Sequence, residues 1–282
     1  MTDDLGDRMK GYERMGVPER FMPRLPLMAR IDGRAFSSFT RGMDRPFDAR
    51  LSQMMIDTTL ELVRETGAVT GYCQSDEITL CFFSSKGWDS QIYFDGKVAK
   101  VISHLAATAS VFFYRLVVER LPPLYADRRP SFDCRAWNVP TKDEAVNAFL
   151  WRENDAVKNS VSMAARSVFS HAQLQDKRSA EMREMLFEKG VNWNDYPAFF
   201  KRGTYVQRRT VKRRLTPAEL ANLPEKHDAR QSPDLEFERS ACTVVDMPPL
   251  SKVANRVEAI FDGASPVTYA DLEAANGGPP CE

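Results

Sequence analysis

Two short stretches decide the fold: Leu27-Met28-Ala29-Arg30-Ile31-Asp32-Gly33, and Val69-Thr70-Gly71-Tyr72-Cys73-Gln74-Ser75-Asp76-Glu77-Ile78-Thr79-Leu80-Cys81-Phe82-Phe83. The first is apolar apart from Arg30 and ends at Asp32-Gly33, which is typical of a strand that runs into a tight turn. The second has two strand-like runs on either side of an acidic turn. It therefore predicts a hairpin with Asp76 and Glu77 at its tip.

Helical patterns surround these strands. Apolar residues recur at three- and four-residue steps over 49–65, before Gly67, and again over 97–115. Residues 132–139 resemble another strand, and Thr141 is a suitable N-cap for a helix that follows. We therefore expect an α+β fold: a ferredoxin-like, polymerase-palm-like antiparallel sheet with helices packed on it, plus helical and basic additions.

The acidic turns suggest chemistry as well as structure. Strands that end at Asp32 and Asp76 can lie side by side, where two carboxylates would hold a divalent metal against a nucleoside triphosphate. An isolated Asp-Gly pair is usually only a hairpin turn. Two acidic turns on apolar strands in one chain favour nucleotidyl transfer over that structural interpretation.

Composition narrows the class of protein. Hydrophobic residues make up 43% of the 282 residues, and no uninterrupted apolar run approaches the roughly 20 residues of a membrane span. The acidic start, Met1 to Asp4, does not resemble a secretory signal, so we expect a cytoplasmic protein without membrane contact. The five cysteines and three histidines are scattered, which supports neither zinc nor disulfides.

Any nucleic-acid contact must come from local patches, because 39 basic residues balance 39 acidic ones. Residues 197–214 interleave aromatic side chains with a dense basic run. This pattern fits either a strand pair that contacts phosphates or a solvated edge strand. Under the first interpretation the RNA-binding candidates are Lys201, Arg202, Arg208 and Arg209.

The chain divides by composition into three segments. We expect a palm-like catalytic domain over 1–140 and a helical and basic continuation over 141–215 that completes the catalytic unit and its RNA contacts. Residues 216–282 form an extension whose role the sequence does not indicate, and the last six residues resemble a tail.

Ordered motifs then point to a family. The segments Arg30 to Phe36 and Gly71 to Glu77 are followed by Phe132-Asp133-Cys134-Arg135, Trp151-Arg152 and Lys201-Arg202-Gly203-Thr204. In this order and at these separations, the sequence closely resembles the tRNA-histidine guanylyltransferase family and its relatives that extend RNA in the 3′-to-5′ direction. The resemblance covers roughly residues 25 to 210, and several ordered motifs are far more specific than one.

The resemblance implies a palm domain, two Mg²⁺ ions, ATP and GTP as substrates, the 5′ end of tRNA as partner, and a homotetramer. It implies that Asp32, the Gly33 carbonyl and Asp76 bind metal, with Asp32, Asp76 and Glu77 as the catalytic carboxylates. It also implies a set of nucleotide-binding residues: Asp32, Gly33, Arg34, Ala35, Phe36, Ser37, Ser75, Asp76, Arg30 and Lys100. On its amphipathic helix, Lys100 is equally consistent with a solvated surface position.

One motif departs from the family pattern. Family enzymes specific for histidine tRNA commonly carry His-x-Asn-Asn after the Trp-Arg pair, whereas this chain has Val157-Lys158-Asn159-Ser160. The sequence therefore slightly favours template-directed repair of truncated tRNA 5′ ends, with guanosine addition to histidine tRNA almost level. A palm-type nucleotide cyclase and a non-catalytic RNA-binding scaffold are the alternative functions.

Overall fold

The computed structural model describes residues 19–84, 92–225, 230 and 236–275. The acidic start of the chain and its tail-like end, for which the sequence gave expectations, lie outside these ranges. Six strands form one antiparallel sheet in the order β4-β1-β3-β2-β5-β6, as their hydrogen-bonded pairs show.

The strands are β1 (Leu27–Gly33), β2 (Thr70–Gln74), β3 (Glu77–Phe82), β4 (Phe132–Asn138), β5 (Thr204–Arg213) and β6 (Phe237–Val245). The helices described are α1 (Phe36–Phe39), α2 (Ala49–Thr66), α3 (Val98–Arg120), α4 (Pro123–Asp127), α5 (Lys142–Val168), α6 (His171–Leu174), α7 (Ser179–Glu188), α8 (Ala198–Arg202), α9 (Pro217–Ala221), α10 (Arg256–Phe261) and α11 (Tyr269–Ala275). Short 3-10 turns lie at Tyr93–Gly96, Trp193–Asp195 and Leu250–Lys252.

The sheet has an apolar core on each face, because side chains alternate along every strand. Leu27, Ala29 and Ile31 of β1 join the core formed with α2 and α3. Met28 points the other way, into a core that includes Phe149 of α5 and residues of α10. Helices therefore cover both faces, while the end of β1 at Asp32-Gly33 and the β2–β3 turn at Ser75-Asp76 remain partly accessible.

The predicted α+β class with an antiparallel sheet and packed helices is confirmed. The palm elements begin close to their predicted positions, and Thr141 caps α5 by accepting the Glu144 N–H. In the second half of the chain, β5 and β6 pair along nine residues, and β6 starts at Phe237. Because β5 lies between β2 and β6, the interpretation of the basic run as an edge strand is wrong.

All three predicted segments contribute strands to the sheet. Residues 1–140 supply β1 to β4, residues 141–215 supply β5, and residues 216–282 supply β6. The division into a catalytic domain, a continuation and an extension stays a prediction. A smaller third core joins the end of α5 to α6 and α7.

Helix α3 is the one helix, among the residues described, that is long and apolar enough by composition to cross a membrane. The residues facing the sheet are buried: Val101, Leu105, Ala109, Phe113, Leu116 and Val117. A helix that fills a protein core needs the same apolar composition as one that meets lipid.

Asp48 fixes the start of α2. Its side chain is 2% exposed, accepts the Arg50 backbone N–H at 2.9 Å and forms an ion pair with the Arg50 guanidinium at 2.6 Å. The Arg50 side-chain hydrogen bond, together with backbone N–H donors, lowers the pKa of Asp48 to about 2. The ionised carboxylate therefore stabilises the fold above the pKa of an unfolded Asp.

Asp48→Asn should reduce the free energy of unfolding at pH 7 by about 2 kcal/mol, because the amide still caps the helix but lacks the charge. The difference from wild type should shrink as pH falls from about 4 towards 2, where the wild-type carboxylate also becomes neutral. Urea unfolding at several pH values measures it, with the exposed Asp246→Asn as the charge-matched control. A difference in unfolding free energy between wild type and Asp48→Asn that does not vary with pH would contradict the lowered pKa of Asp48.

Candidate active site

Three carboxylates lie at the same level of the sheet. The β1 residue Asp32 pairs with Glu77 of β3 on one side and with Asp133 of β4 on the other. Paired residues on antiparallel strands point to the same face, so the three side chains share the face covered by α5. Asp32 is 38% exposed, and its carboxylate lies 4.0 Å from the Arg135 guanidinium.

Asp76 lies beside Asp32 at the tip of the β2–β3 hairpin. The Gly33 N–H donates to the Asp76 carbonyl oxygen at 3.0 Å, which holds the two acidic turns together. Ser75 adopts a left-handed conformation with φ 50°, so the two-residue loop reverses sharply. Burial raises the pKa of Asp76, and the nearby charge of Asp32 raises it further.

The turn after Asp32 is tightly packed. A Cβ on Gly33 would lie 2.4 Å from the Phe36 ring, so the closely packed ring leaves no room for a larger residue. Ala35 has φ 54°, which starts the short helix α1 at a sharp angle. Within the described residues, the N–H groups of Ala35, Phe36 and Ser37 donate to no backbone carbonyl. Three free donors next to Asp32 form a suitable cradle for phosphate oxygens.

A cavity of about 260 Å³ opens beside this turn. We call it the turn cavity, and its lining includes Phe36, Ser37, Thr40, Ser75 and Asp76. Four of the ten predicted nucleotide-binding residues thus line one cavity: Phe36, Ser37, Ser75 and Asp76. Arg34 and Ala35 line a different cavity.

Glu77 is held differently from the other two carboxylates. It accepts two hydrogen bonds from the Arg152 guanidinium of α5, at 2.6 and 2.7 Å, and both side chains are 8% exposed. Burial raises the pKa of Glu77, and Arg152 lowers it only in part. The side chain is therefore committed to a buried ion pair at the base of the site, and its predicted catalytic role stays a prediction.

Arg30 extends this ion-pair network. Its Nε atom is buried, has no hydrogen-bond partner, and lies 3.9 Å from the nearer Glu77 oxygen. Its guanidinium carbon lies 5.8 Å from the ring of Trp151, an indole that is 53% exposed. Arg30 thus lies on the same face as Asp32 and adds positive charge below the carboxylates.

Lys100 is not brought to this site within one chain. The N–H of Phe132, the residue paired with Gly33, donates to Ser110 of α3, which places the middle of α3 near the acidic turns. Lys100 lies ten residues earlier on the helix, about 15 Å away along its axis. It is exposed there, and its predicted role in phosphate binding stays a prediction.

The side chains of the predicted RNA-binding residues form hydrogen bonds within the protein. Arg202, Arg208 and Arg209 each donate to a backbone carbonyl, of Met247, Arg64 and Ala264 respectively, at 2.8 to 3.1 Å. Lys201 donates to the Asn194 carbonyl. Their side chains cross-link β5 and α8 to neighbouring segments, and RNA contact by these four residues stays a prediction.

Comparison with known proteins identifies the family. Residues 6–140 match the family described as Thg1, tRNAHis guanylyltransferase. A bacterial Thg1-like protein, solved in complex with ATP, has 32% identity and a TM-score of 0.75, covering 92% of this chain and 99% of that chain. The chain belongs to the tRNA(His) guanylyltransferase family. It is therefore a nucleotidyltransferase by family, as the sequence predicted.

Two further relatives show the breadth of this family. An uncharacterized protein of Acanthamoeba polyphaga mimivirus is 30% identical over 233 residues, which cover 75% of this chain and 80% of the relative. The tRNA(His) guanylyltransferase of Schizosaccharomyces pombe is 29% identical over 211 residues, covering 70% and 77%. The similarity thus extends well beyond the palm segment.

The oxygen donors of the guanylyltransferase site fit Mg²⁺. Within the described residues, no group of three His, Cys, Asp or Glu side chains could hold a metal alone. Mg²⁺ is commonly bound by one or two carboxylates together with substrate phosphates and water, which matches Asp32, Asp76 and the Gly33 carbonyl. A bound cation would also offset the repulsion that raises the pKa of Asp76.

Sequence reasoning did not assign roles to three residues of the site. Arg152, Asp133 and Arg135 appeared only as parts of family motifs. Their roles depend on contacts between segments that are distant in sequence. The sequence feature that could have pointed to Arg152 is its position ten residues into a predicted helix, beside an apolar stripe. Each becomes evident once β4 and α5 are placed against β1 and β3.

Arg152→Met should reduce the free energy of unfolding at pH 7 by about 3–5 kcal/mol, because it leaves the Glu77 charge buried without its partner. Loss of Arg152 raises the pKa of Glu77 further, so the deficit should shrink as pH falls and Glu77 becomes protonated. Urea unfolding between pH 5 and 8 measures both effects.

Two variants control this measurement. The double variant Arg152→Met, Glu77→Gln should recover part of the lost stability, because no unpaired charge remains. Arg115→Ala breaks an exposed pair with Glu119 and should cost about 0–1 kcal/mol. Equal losses in the single and double variants would show that the buried charge is not the cause.

Proposed function

We propose that this protein is a Mg²⁺-dependent nucleotidyltransferase that adds nucleotides to the 5′ end of tRNA in the 3′-to-5′ direction. The observation that carries the proposal is the approach of Asp32 to Asp76 beside a turn whose N–H groups donate to no backbone carbonyl. Thg1-like relatives solved with ATP and with GTP support the same nucleotides here.

The proposed nucleotide addition has three steps. The RNA 5′-phosphate attacks the α-phosphorus of ATP and releases pyrophosphate, which leaves an adenylylated 5′ end. The 3′-hydroxyl of an incoming nucleoside triphosphate then attacks the RNA 5′-phosphorus, loses its proton and displaces AMP. When required, hydrolysis removes pyrophosphate from the triphosphate of the added nucleotide.

The chain's own residues bind and orient these groups. The N–H groups of Ala35, Phe36 and Ser37 would hold the triphosphate, with its base towards the turn cavity. Bound Mg²⁺ would polarise the reacting phosphate and stabilise the attacking and leaving oxygens. Asp32 and Asp76 would hold it in their ionised forms, while the Arg152–Glu77 pair keeps the strand beneath them in register.

Template-directed repair of truncated tRNA is the role we favour over guanosine addition to histidine tRNA. At the end of the segment that departs from the His-x-Asn-Asn pattern, Ser160 is 2% exposed and donates to the Lys201 carbonyl at 3.2 Å. It also accepts the Trp193 indole N–H at 3.2 Å. This position therefore serves the packing of α5 against α8 and is not available to recognise a base.

The proposal includes a homotetramer, as the family resemblance implies, and the cytoplasmic location expected from the sequence. Sedimentation equilibrium on the full chain tests the assembly. A mass of one chain, near 32.0 kDa, at micromolar concentration would contradict it.

Purified protein incubated with Mg²⁺, ATP and one nucleotide at a time should extend a 5′-monophosphorylated tRNA that lacks its first nucleotide. The nucleotide added should be the one complementary to the opposing base of the 3′ strand. Gel analysis of 5′-extended products measures this, and full-length histidine tRNA tests guanosine addition in parallel. Addition of guanosine only to histidine tRNA would contradict the repair role.

Asp76→Asn should lower the extension rate by at least about 100-fold, because it removes the charge of a direct metal ligand. Asp246→Asn removes the same charge from an exposed position outside the site and should retain activity. Absence of extension by the wild-type protein on every RNA would overturn the proposed function.

A further inference from the structure

A second cavity lies on the other side of the segment that borders the turn cavity. It has a volume of about 360 Å³ and is lined by Arg34, Ala35, Ser38, Phe39, Arg41, Arg128 and Pro130. We call it the arginine pocket. Residues 34–41 thus separate two cavities: Ser37 and Thr40 face the turn cavity, while Arg34, Ser38 and Arg41 face the arginine pocket.

Two guanidinium groups of this pocket have no hydrogen-bond or ion-pair partner among the described residues. Arg34 and Arg41 are exposed, and neither side chain forms a hydrogen bond or ion pair with any residue in the described ranges. They differ in this from Arg208 and Arg209 of β5, which donate to backbone carbonyls. No acidic residue is among those that line the pocket, so its positive charge is not offset locally.

The third arginine gives the pocket its shape. Arg128 donates to the carbonyls of Phe39 and Arg41, at 2.5 and 2.7 Å, and its guanidinium carbon lies 4.6 Å from the centre of the Tyr125 ring. These contacts hold the end of the 34–41 segment in place. The backbone of Arg41 is therefore fixed while its side chain remains available to a ligand.

We propose that the arginine pocket binds a backbone phosphate of the RNA substrate close to its 5′ end. The inference rests on the proposed function, because RNA whose 5′-phosphate reaches Asp32 must pass near the residues that follow Asp32. Arg34 lies two residues further on, which is at most about 7 Å of extended chain. Guanidinium groups bind phosphate oxygens through paired N–H donors, and this accounts for arginines without internal partners.

A triphosphate is the other possible source of phosphate oxygens. It is less well placed, because the turn cavity that suits it, with Phe36 and Ser37 in its lining, lies on the opposite side of the 34–41 segment. The experiment therefore measures RNA and nucleotide separately.

The test uses Arg41→Ala and the double variant Arg34→Ala, Arg41→Ala, with Arg115→Ala as a control that loses the same charge from the outer face of α3. Binding of truncated tRNA is measured without Mg²⁺ or nucleotide, so that no reaction is needed, at salt concentrations from 50 to 300 mM. Each lost phosphate contact should reduce the slope of log Kd against log salt by about 0.7–0.9.

In extension assays, Arg41→Ala should raise KM for RNA several-fold with kcat and KM for the nucleotide unchanged. A raised KM for the nucleotide with RNA binding unchanged would overturn the assignment in favour of a triphosphate. Slopes equal to that of Arg115→Ala would show that the pocket binds no phosphate. Because RNA binding is measured without reaction, loss of the proposed function would not hide the change in salt dependence.

Discussion

The buried ion pair between Arg152 and Glu77 joins helix α5 to the sheet at the level of Asp32. A buried carboxylate is costly unless it is paired, so α5 has to approach β3 at this height and in this orientation. The same pairing fixes the register of β3, since a slip of one residue would turn Glu77 to the other face. The arrangement of Asp32 and Asp76 depends on that register.

Local sequence patterns predicted most of the palm. Apolar strands ending at Asp32-Gly33 and the hairpin around Ser75-Asp76 follow from alternation and turn chemistry, which are properties of neighbouring residues. The start of strand β6 has no clear strand pattern, because Phe237 to Ser240 are mostly polar and pair at the sheet edge. The structure there depends on the partner strand β5, and a single-segment pattern cannot show such pairing.

The candidate site was predictable only where it depends on neighbouring residues. Proximity of Asp32 and Asp76 follows from two strands that end together, and the structure places both turns side by side. The commitment of Glu77 to Arg152 joins residues 75 positions apart, and the arginine pocket joins residues 34, 41 and 128. The basic run could not show that Arg208 and Arg209 of β5 donate to backbone carbonyls, because those contacts also join distant segments.

The segment from Arg34 to Arg41 is a partition with a cavity on each side. A ligand in one cavity that displaces residues 34–41 changes the free energy of ligand binding in the other cavity. Thermodynamic linkage makes that coupling equal in both directions. Nucleotide and RNA then assist or oppose one another to the same extent, whichever arrives first. Under the proposed binding of nucleotide and RNA, any such coupling passes through a single stretch of eight residues.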